Sequence, residues 1–191
     1  MPDRRRSRGL DNMVPGGKAA EPVEHKEAAA VEVTDLIARE EIRDVVKRLA
    51  RGTDRLDAEM MASCYHPDGF DDHNSFRGSG PEFAAWVCEV LPAFEATHHF
   101  IADPDIKLRG DVAQVDTYCI AHHVGKDTDL VLGLRYVDRF EKREGRWLIA
   151  RRVCAFDWRY LIPFDPTRGF QFGPDFTLGR RDRSDITYSG A

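Results

Sequence analysis

The sequence predicts an α+β fold, and three observations lead to that prediction. Apolar residues recur at helical spacing after residue 34, and from His98 onward they alternate with polar residues as in β-strands. Helices followed by a run of antiparallel strands are typical of α+β domains. The chain has 191 residues, of which 42% are hydrophobic and 32% charged, and this fits one folded domain with tails.

The N-terminal segment, residues 1–33, contains almost no large apolar side chains, and we expect it to be a disordered leader. Its four arginines are not followed by an apolar stretch, so the segment does not have the pattern of a secretory signal. No apolar run approaches the roughly 18 residues that a membrane span needs. The four cysteines form no Cys-x-x-Cys pair, and we expect them to be reduced core residues of a cytoplasmic protein.

Three helices are expected at the start of the folded region. Thr34 is a suitable N-cap for the first, whose apolar stripe runs at helical spacing and ends at Gly52. A second, shorter helix is expected over residues 57–64. Ser79 and Pro81 are typical of the start of a third helix.

The stretch between the second and third helices, residues 66–80, is rich in Asp, His, Asn, Ser and Gly. We therefore expect a loop there, with a short strand at most. The strands that follow are expected over residues 98–101, 105–108, 112–123, 130–141 and 147–158.

The C-terminal segment, residues 161–191, has little periodicity but carries five aromatic residues. A disordered tail rarely has this composition. We therefore expect a folded domain over residues 34–160 and an extension that packs on this domain or on a partner subunit.

The charge distribution argues against nucleic acid as the partner. The net charge is −5, and because the segments 1–34 and 161–191 are each balanced, the excess of acid lies between them. Duplex nucleic acid is bound by basic surfaces. Basic residues do cluster in the last two expected strands and the turn between them. We expect a solvated outer face balanced by acids there, and an anionic-ligand site is the alternative: Arg139, Lys142, Arg143, Arg146, Arg151 and Arg152.

Two histidine doublets, His98-His99 and His122-His123, lie in neighbouring expected strands. Successive side chains of a strand point to opposite faces, so each doublet sends one imidazole inward. Two inward imidazoles would meet in one pocket, although hydrogen-bonded structural histidines are the alternative. Periodicity alone does not decide which member of each doublet faces inward.

Asp54 follows Gly52 and is expected just past the end of the first helix. If that helix end abuts the sheet, the carboxylate can hydrogen-bond an inward histidine and raise its basicity. A solvated loop carboxylate is the alternative.

A set of short motifs, taken in order along the chain, resembles the SnoaL-like group of the nuclear-transport-factor-2-like superfamily. The match covers about residues 35–160 and the closing stretch 179–185. The motifs are Ala38-Arg39-Glu40-Glu41-Ile42, Gly52-Thr53-Asp54, Tyr65-His66-Pro67-Asp68, Asp71-Asp72-His73, Thr97-His98-His99-Phe100-Ile101, Tyr118 and Arg135-Tyr136-Val137-Asp138-Arg139-Phe140. The resemblance implies a cone-shaped roll, in which a curved antiparallel sheet encloses the N-terminal helices and a pocket.

The group includes scytalone dehydratase and hexachlorocyclohexane dehydrochlorinase, which share an Asp–His dyad. By this resemblance Asp54 is the dyad aspartate, His99 the dyad histidine, and His122 lies near a second pocket histidine. Water loss next to a carbonyl needs a base for the α-proton, a stabiliser for the enolate and an acid for the leaving hydroxyl. His99 is the expected base, oriented by Asp54, and His122 or Tyr65 the acid or oxyanion donor.

Two positions depart from the group. Thr53 stands where scytalone dehydratase has a tyrosine, and Val131 where the dehydrochlorinase has an arginine, with Arg135 further along the same strand. The substrate is therefore expected to differ too. The residues expected to bind it are Arg135, Trp158, His73 and Tyr118.

No cofactor or metal is expected. Asp71, Asp72 and His73 with a histidine doublet offer ligand atoms, but the tight ligand spacings of metal sites are missing. No phosphate loop or nucleotide-binding fingerprint is present in the sequence.

The expected function is a cofactor-independent, dehydratase-type lyase for a small hydrophobic carbonyl compound of polyketide, steroid or aromatic type. A ketosteroid-type isomerase and a non-catalytic ligand-binding or assembly module are the alternatives, because the fold by itself implies no activity. The partners expected are a small-molecule substrate and further copies of the chain, as a dimer or trimer.

Overall fold

A computed structural model describes residues 32–163 and 172–189. The helices are α1 (Val33–Arg55), α2 (Ala58–Ala62), α3 (Gly80–Val90) and α4 (Ile186–Ser189), and a 3-10 turn spans Leu91–Ala93. The strands are β1 (Tyr65–Asp72), β2 (Arg77–Ser79), β3 (Ala96–Ile101), β4 (Asp105–Arg109), β5 (Val112–Val124), β6 (Thr128–Arg143) and β7 (Arg146–Pro163). Apart from its last two residues, the leader expected at 1–33 lies outside the described residues.

The strands form one curved, unclosed sheet in the order β2-β1-β7-β6-β5-β3, with β4 paired to β5. The predicted α+β class is confirmed. The sheet is mixed and not purely antiparallel, because β1 pairs with β7 in parallel. Between these two strands the chain passes through α3 and five further strands, so their connection is a long crossover and not a hairpin.

The stretch expected as a loop, residues 66–80, is largely sheet. Strand β1 pairs with β7, where Asp71 lies opposite Arg152, and with β2, where Phe70 lies opposite Ser79. The polar composition led to the wrong prediction because Asp71 is fully buried in the fold. Pairing with the distant strand β7 outweighs the low strand propensity of these residues.

Helix α1 starts and ends differently from the prediction. It begins at Val33, and its N-cap Glu32 makes no side-chain capping bond, so Thr34 is not the cap. The helix ends at Arg55, and its C-cap Leu56 has a left-handed φ of 53°, so Asp54 lies within the last turn. Gly52 serves close packing instead, because a Cβ there would lie 2.9 Å from the Met61 Cγ.

Helix α3 begins as predicted. The Ser79 hydroxyl accepts from the Glu82 backbone N–H, the Glu82 carboxylate accepts from the Ser79 N–H, and Pro81 occupies the first turn. This capping box satisfies backbone donors that a helix start leaves without partners.

The core lies between the helices and the concave face of the sheet. The predicted stripe of α1 is buried against residues of α3 and the sheet, and burial of each of its Val, Ile and Leu side chains contributes about 1.5–3 kcal/mol to folding. The stripe comprises Ala38, Ile42, Val45, Val46 and Leu49. Within residues 32–163 and 172–189, no helix combines the length and apolarity that a membrane span requires.

Part of the C-terminal segment contacts the helices. An Arg181 guanidinium nitrogen donates to the carbonyl oxygens of Leu91 and Phe94, at 3.2 and 2.6 Å. The Tyr188 hydroxyl donates to Asp57 at 2.8 Å, at the start of α2. Strand β7 extends to Pro163, three residues past the expected end of the domain.

Candidate active site

A cavity of about 270 Å³ lies between α1, α3 and the sheet. Most of its wall is apolar, and the apolar residues include Val46, Leu49, Phe83, Trp86, Val87, Leu91, Leu132, Leu134 and Phe156. A few polar side chains converge on it: Thr53, His73, Ser75, His99, His123, Tyr136 and Arg152. Such a combination is typical of small-molecule sites, in which a few polar groups orient a largely apolar ligand.

The structure brings Asp54 and His99 together, as the resemblance implied. The Asp54 Oδ1 lies 2.7 Å from the His99 Nδ1, and its Oδ2 accepts the His99 backbone N–H at 3.0 Å. This geometry exists because the last turn of α1 abuts the start of β3, so one carboxylate reaches both groups of the same residue. Both side chains are largely buried.

The electrostatics of this pair favour an ionised carboxylate. Burial raises the pKa of Asp54, but the hydrogen bonds and charge of His99 outweigh burial and hold it below its usual value. An ionised Asp54 keeps the proton on the His99 Nδ1. The His99 Nε2 is then the basic nitrogen available to a ligand in the cavity.

The second doublet sends His123 into the cavity, and not the expected His122. Residue His99 lies opposite Ala121 in the register of β3 and β5, so Ala121 and His123 share its face. His122 points to the other face, where its Nε2 lies 2.9 Å from the Asp129 carboxylate.

His123 is a neutral imidazole with unused hydrogen-bonding capacity. It is 8% exposed, and neither ring nitrogen has a hydrogen-bond partner among the described residues. Burial is the main cause and the neighbouring His99 the second, and they lower the pKa of His123 to about 4. Its ring lies 5.6 Å from that of His99 and 4.8 Å from that of Phe94, which Arg181 helps to hold.

A second carboxylate–imidazole pair consists of Asp71 and His73. The His73 Nδ1 bonds the Asp71 Oδ1, while the Tyr65 hydroxyl donates to the Asp71 Oδ2 at 2.5 Å. The His73 ring lines the cavity and stacks on Phe83 at 4.6 Å. Tyr65, expected as an acid or oxyanion donor, is buried behind this pair and is not among the residues that line the cavity.

Arg152 was expected on a solvated outer face, but it lies beneath the cavity at 3% exposure. Its guanidinium donates to both oxygens of Asp138, at 2.8 and 2.6 Å, and lies 4.1 Å from the centre of the Tyr136 ring. Burial alone would lower the pKa of Arg152, but Asp138 raises it well above its usual value, so the guanidinium is charged. Arg151 and Arg152 are neighbours in a strand, so one of them had to face inward.

Three residues expected to bind substrate lie outside the cavity lining. Tyr118 is 62% exposed on the outer face, and Arg135 lies across from it, ion-paired with Asp157. A register shift in β7 puts Trp158 over Gly133 of β6, whose missing side chain leaves room for the indole. A Cβ on that glycine would lie 2.1 Å from the ring. Tyr118, Arg135 and Trp158 thus lie on the convex side of the sheet and not in the cavity lining.

Metal ligands are not gathered anywhere in the part of the chain that the structure describes. Groups of three or more His, Cys, Asp or Glu side chains that could hold an ion are absent from it. The carboxylates nearest the cavity instead bond single imidazoles or a guanidinium.

The sequence matches one family model. The model for the SnoaL-like domain covers residues 34–153. Among curated proteins, none matches the sequence.

Solved structures share the fold at low sequence identity. A scytalone dehydratase-like protein from Novosphingobium aromaticivorans superposes with a TM-score of 0.61 at 20% identity, over 66% of this chain and 89% of its own. A hexachlorocyclohexane dehydrochlorinase from Novosphingobium barchaimii gives a TM-score of 0.60 at 19% identity, over 73% of this chain and 96% of its own. At such identities the likeness establishes the fold, which is the nuclear-transport-factor-2-like α+β roll.

Proposed function

The chain belongs to the SnoaL-like domain family, and on that premise we propose that it is a cofactor-independent lyase of the dehydratase type. One observation carries the proposal: an imidazole oriented by a buried carboxylate, His99 with Asp54, opens into an apolar cavity. The substrate would be a small hydrophobic carbonyl compound of polyketide, steroid or aromatic type.

The reaction begins at the His99 Nε2, which takes a proton from the carbon next to the carbonyl. Asp54 fixes the tautomer and stabilises the imidazolium that forms. His123 is neutral and has both ring nitrogens without partners, so its N–H is suited to donate to the enolate oxygen. General acid–base help of this kind supplies about 10²–10⁴-fold of rate.

The size of the cavity limits the substrate. Its volume of about 270 Å³ lies at the small end of ligand pockets, so a compound of one or two rings fits better than a four-ring steroid. The aromatic side chains Phe83, Trp86 and Tyr136 favour a flat, unsaturated ligand.

An isomerase is the second candidate, because the same base can return its proton to another carbon of the enolate. The two reactions differ in their products, since a lyase releases water and an isomerase keeps the substrate mass. The non-catalytic alternative is less well supported, because the space beside His99 is open and not filled by side chains.

The experiment uses the aldol adduct of acetone and benzaldehyde, a small β-hydroxy ketone, in deuterium oxide. We expect the protein to exchange the methylene protons and to release benzalacetone. The variants His99→Gln and Asp54→Asn should lose at least about 10²-fold of both rates, because the base or its orienting group is gone.

The matched control is His122→Gln, which changes another carboxylate-bound imidazole on the outer face and should keep both rates. Circular dichroism and thermal melts establish that each variant is folded. Full activity of His99→Gln on this probe contradicts the mechanism.

The outer face of the sheet supports a further part of the proposal, the association of copies of this chain. Phe100, Ile120, Gly133 and Trp158 are successive register partners across β3, β5, β6 and β7, and the three side chains are exposed. An exposed apolar row of this kind is typical of interfaces. A second copy related by a twofold axis would cover it, since symmetric dimers are the commonest homo-oligomers.

A further inference from the structure

The pair formed by Asp71 and His73 opens into the same cavity as the pair formed by Asp54 and His99. The proton abstraction proposed for His99 makes no use of it. Asp71 lies near the end of β1 and His73 directly follows that strand, whereas Asp54 lies in α1 and His99 in β3. The cavity therefore holds two carboxylate-bound imidazoles supplied by separate elements.

The orientation of the His73 ring is fixed on two sides. Its Nδ1 bonds the Asp71 Oδ1, and its face stacks on Phe83 with 24° between the planes. The opposite ring nitrogen, Nε2, makes no bond to Asp71 and remains for a ligand. The side chain is 15% exposed and lines the cavity, so a ligand in the cavity can reach it.

Asp71 is held at both carboxylate oxygens in the interior of the fold. It is fully buried, and its second oxygen accepts the hydroxyl proton of the buried Tyr65 at 2.5 Å. Burying a carboxylate is costly unless its bonds and charge are matched. Buried ionisable groups that converge on a cavity are typical of functional sites.

A third pair in the chain shows what a structural arrangement looks like. The His122 side chain is 43% exposed, and its partner Asp129 also accepts the Gly125 backbone N–H at 3.2 Å, which closes the turn between β5 and β6. Neither member of this pair lines the cavity. The His73 pair differs from it because the His73 pair is more deeply buried and its imidazole lines the cavity.

We infer that His73 is the acid that protonates the leaving hydroxyl, with Asp71 and Tyr65 as positioning residues. The inference rests on the proposed lyase function. As the His99 Nε2 takes the α-proton, the C–H electrons form the carbon–carbon double bond through the enolate, and the C–O bond breaks. The departing oxygen takes the proton from the His73 Nε2 and leaves as water.

The protons balance over one turnover. His99 gains one proton and His73 loses one, so exchange with solvent resets both and the net change is the loss of water. The proposed step requires a proton on each ring nitrogen of His73, and the Asp71 carboxylate bonded to Nδ1 lies where it would balance that charge. The substrate class is thereby narrowed to small β-hydroxy carbonyl compounds, whose hydroxyl contacts His73 while the α-carbon contacts His99.

The test compares two leaving groups on the probe used above, the hydroxyl of the aldol adduct and the acetate of its ester. Acetate leaves without a proton, so an acid matters little for it. We expect His73→Gln to slow water loss by at least about 10²-fold, to change acetate loss by less than about threefold, and to keep methylene exchange in deuterium oxide. His122→Gln is the matched control and should leave all three rates unchanged.

Tyr65→Phe keeps the ring and removes the bond to Asp71, which avoids the risk that a change at the fully buried Asp71 prevents folding. It should slow water loss and displace the pH dependence of water loss, but not that of exchange. Nitrogen-15 spectra of the histidines supply a readout without turnover. The His73 signal should report a bonded Nδ1–H in the wild type and should change in Tyr65→Phe.

The outcomes separate this inference from the proposed function. Equal slowing of both leaving groups by His73→Gln, or loss of exchange, overturns the role of His73 while His99 remains the base. A His73 signal without a bonded Nδ1–H also overturns it. If the wild type neither exchanges nor eliminates with either compound, the proposed function falls, and the role of His73 falls with it.

Discussion

Three imidazoles share one cavity and are held in different ways. His99 and His73 each give one nitrogen to a carboxylate, whereas His123 has no hydrogen-bond partner among the described residues. A carboxylate partner stabilises an imidazolium, and burial without one destabilises it. The first two are therefore suited to carry protons and the third to remain neutral.

The neutrality of His123 predicts an acid sensitivity of stability. Its pKa is about 4 in the folded protein and about 6.5 in an unfolded chain. Because the folded value is depressed, the unfolded state binds more protons below pH 6.5. Stability is then lost as pH falls from about 6.5 to 4, by about 3 kcal/mol for this one group.

The variant His123→Phe should remove this contribution and keep an aromatic ring beside Phe94. We expect the free energy of unfolding in urea to fall less steeply between pH 6.5 and 4 in the variant than in the wild type. Equal slopes for the two proteins would show that His123 is not a buried neutral group. His98→Phe, the same substitution at an exposed position of β3, is the control and should keep the wild-type slope.

At the residue scale, the sequence was sufficient to expect the contact of Asp54 with His99, but not the inward positions of His123 and Arg152. The resemblance supplied the first two through motif order. The other two depend on which side of a strand faces inward, and that side is set by register and bulges. Once His99 is known to face inward, its register with Ala121 makes His123 the inward member of its doublet.

At the scale of elements, α3 connects local sequence to the cavity. The capping box of Ser79 and Glu82 fixes its first turn, and one turn further along Phe83 and Trp86 form part of the cavity wall. Fraying of this helix start would loosen the wall against which His73 stacks.

The variant Ser79→Ala should therefore lower the free energy of unfolding by about 1 kcal/mol, because a backbone donor of α3 loses its acceptor. Chemical denaturation measures the loss. The control is Glu89→Gln, an exposed change near the end of the same helix, which we expect to stay within about 0.5 kcal/mol of the wild type. A Ser79→Ala protein as stable as this control would contradict the capping role.

The elements with strong periodicity were predicted well, and those defined by tertiary contacts were not. The stripe of α1 and the long strands follow from residue spacing alone. Strand β1 escaped prediction because it pairs with β7, a strand distant in the chain, in which Arg152 lies opposite Asp71. The parallel pairing of β1 with β7 depends on a connection that local patterns do not encode.

At the scale of the whole molecule, the two faces of the sheet present different surfaces. The concave face carries the cavity and its imidazoles, whereas the convex face carries the exposed row of Phe100, Ile120 and Trp158. Charges beside the row are of both signs, since Arg135 lies between Asp116 and Asp157. A second copy turned by a twofold axis would bring such charges opposite one another.

The variant Ile120→Lys tests this association at the centre of the row, where the side chain is 48% exposed and points away from the cavity. A buried lysine without a partner is costly at an interface, so we expect the variant to be a monomer by light scattering while the wild type is a dimer. The matched control is Ile37→Lys, the same substitution at a 54% exposed site on α1, which should keep the wild-type size. Methylene exchange by the Ile120→Lys monomer should persist, because the cavity lining comes from one chain. A wild-type monomer at working concentration, or an Ile120→Lys protein of unchanged size, would place the association elsewhere or exclude it.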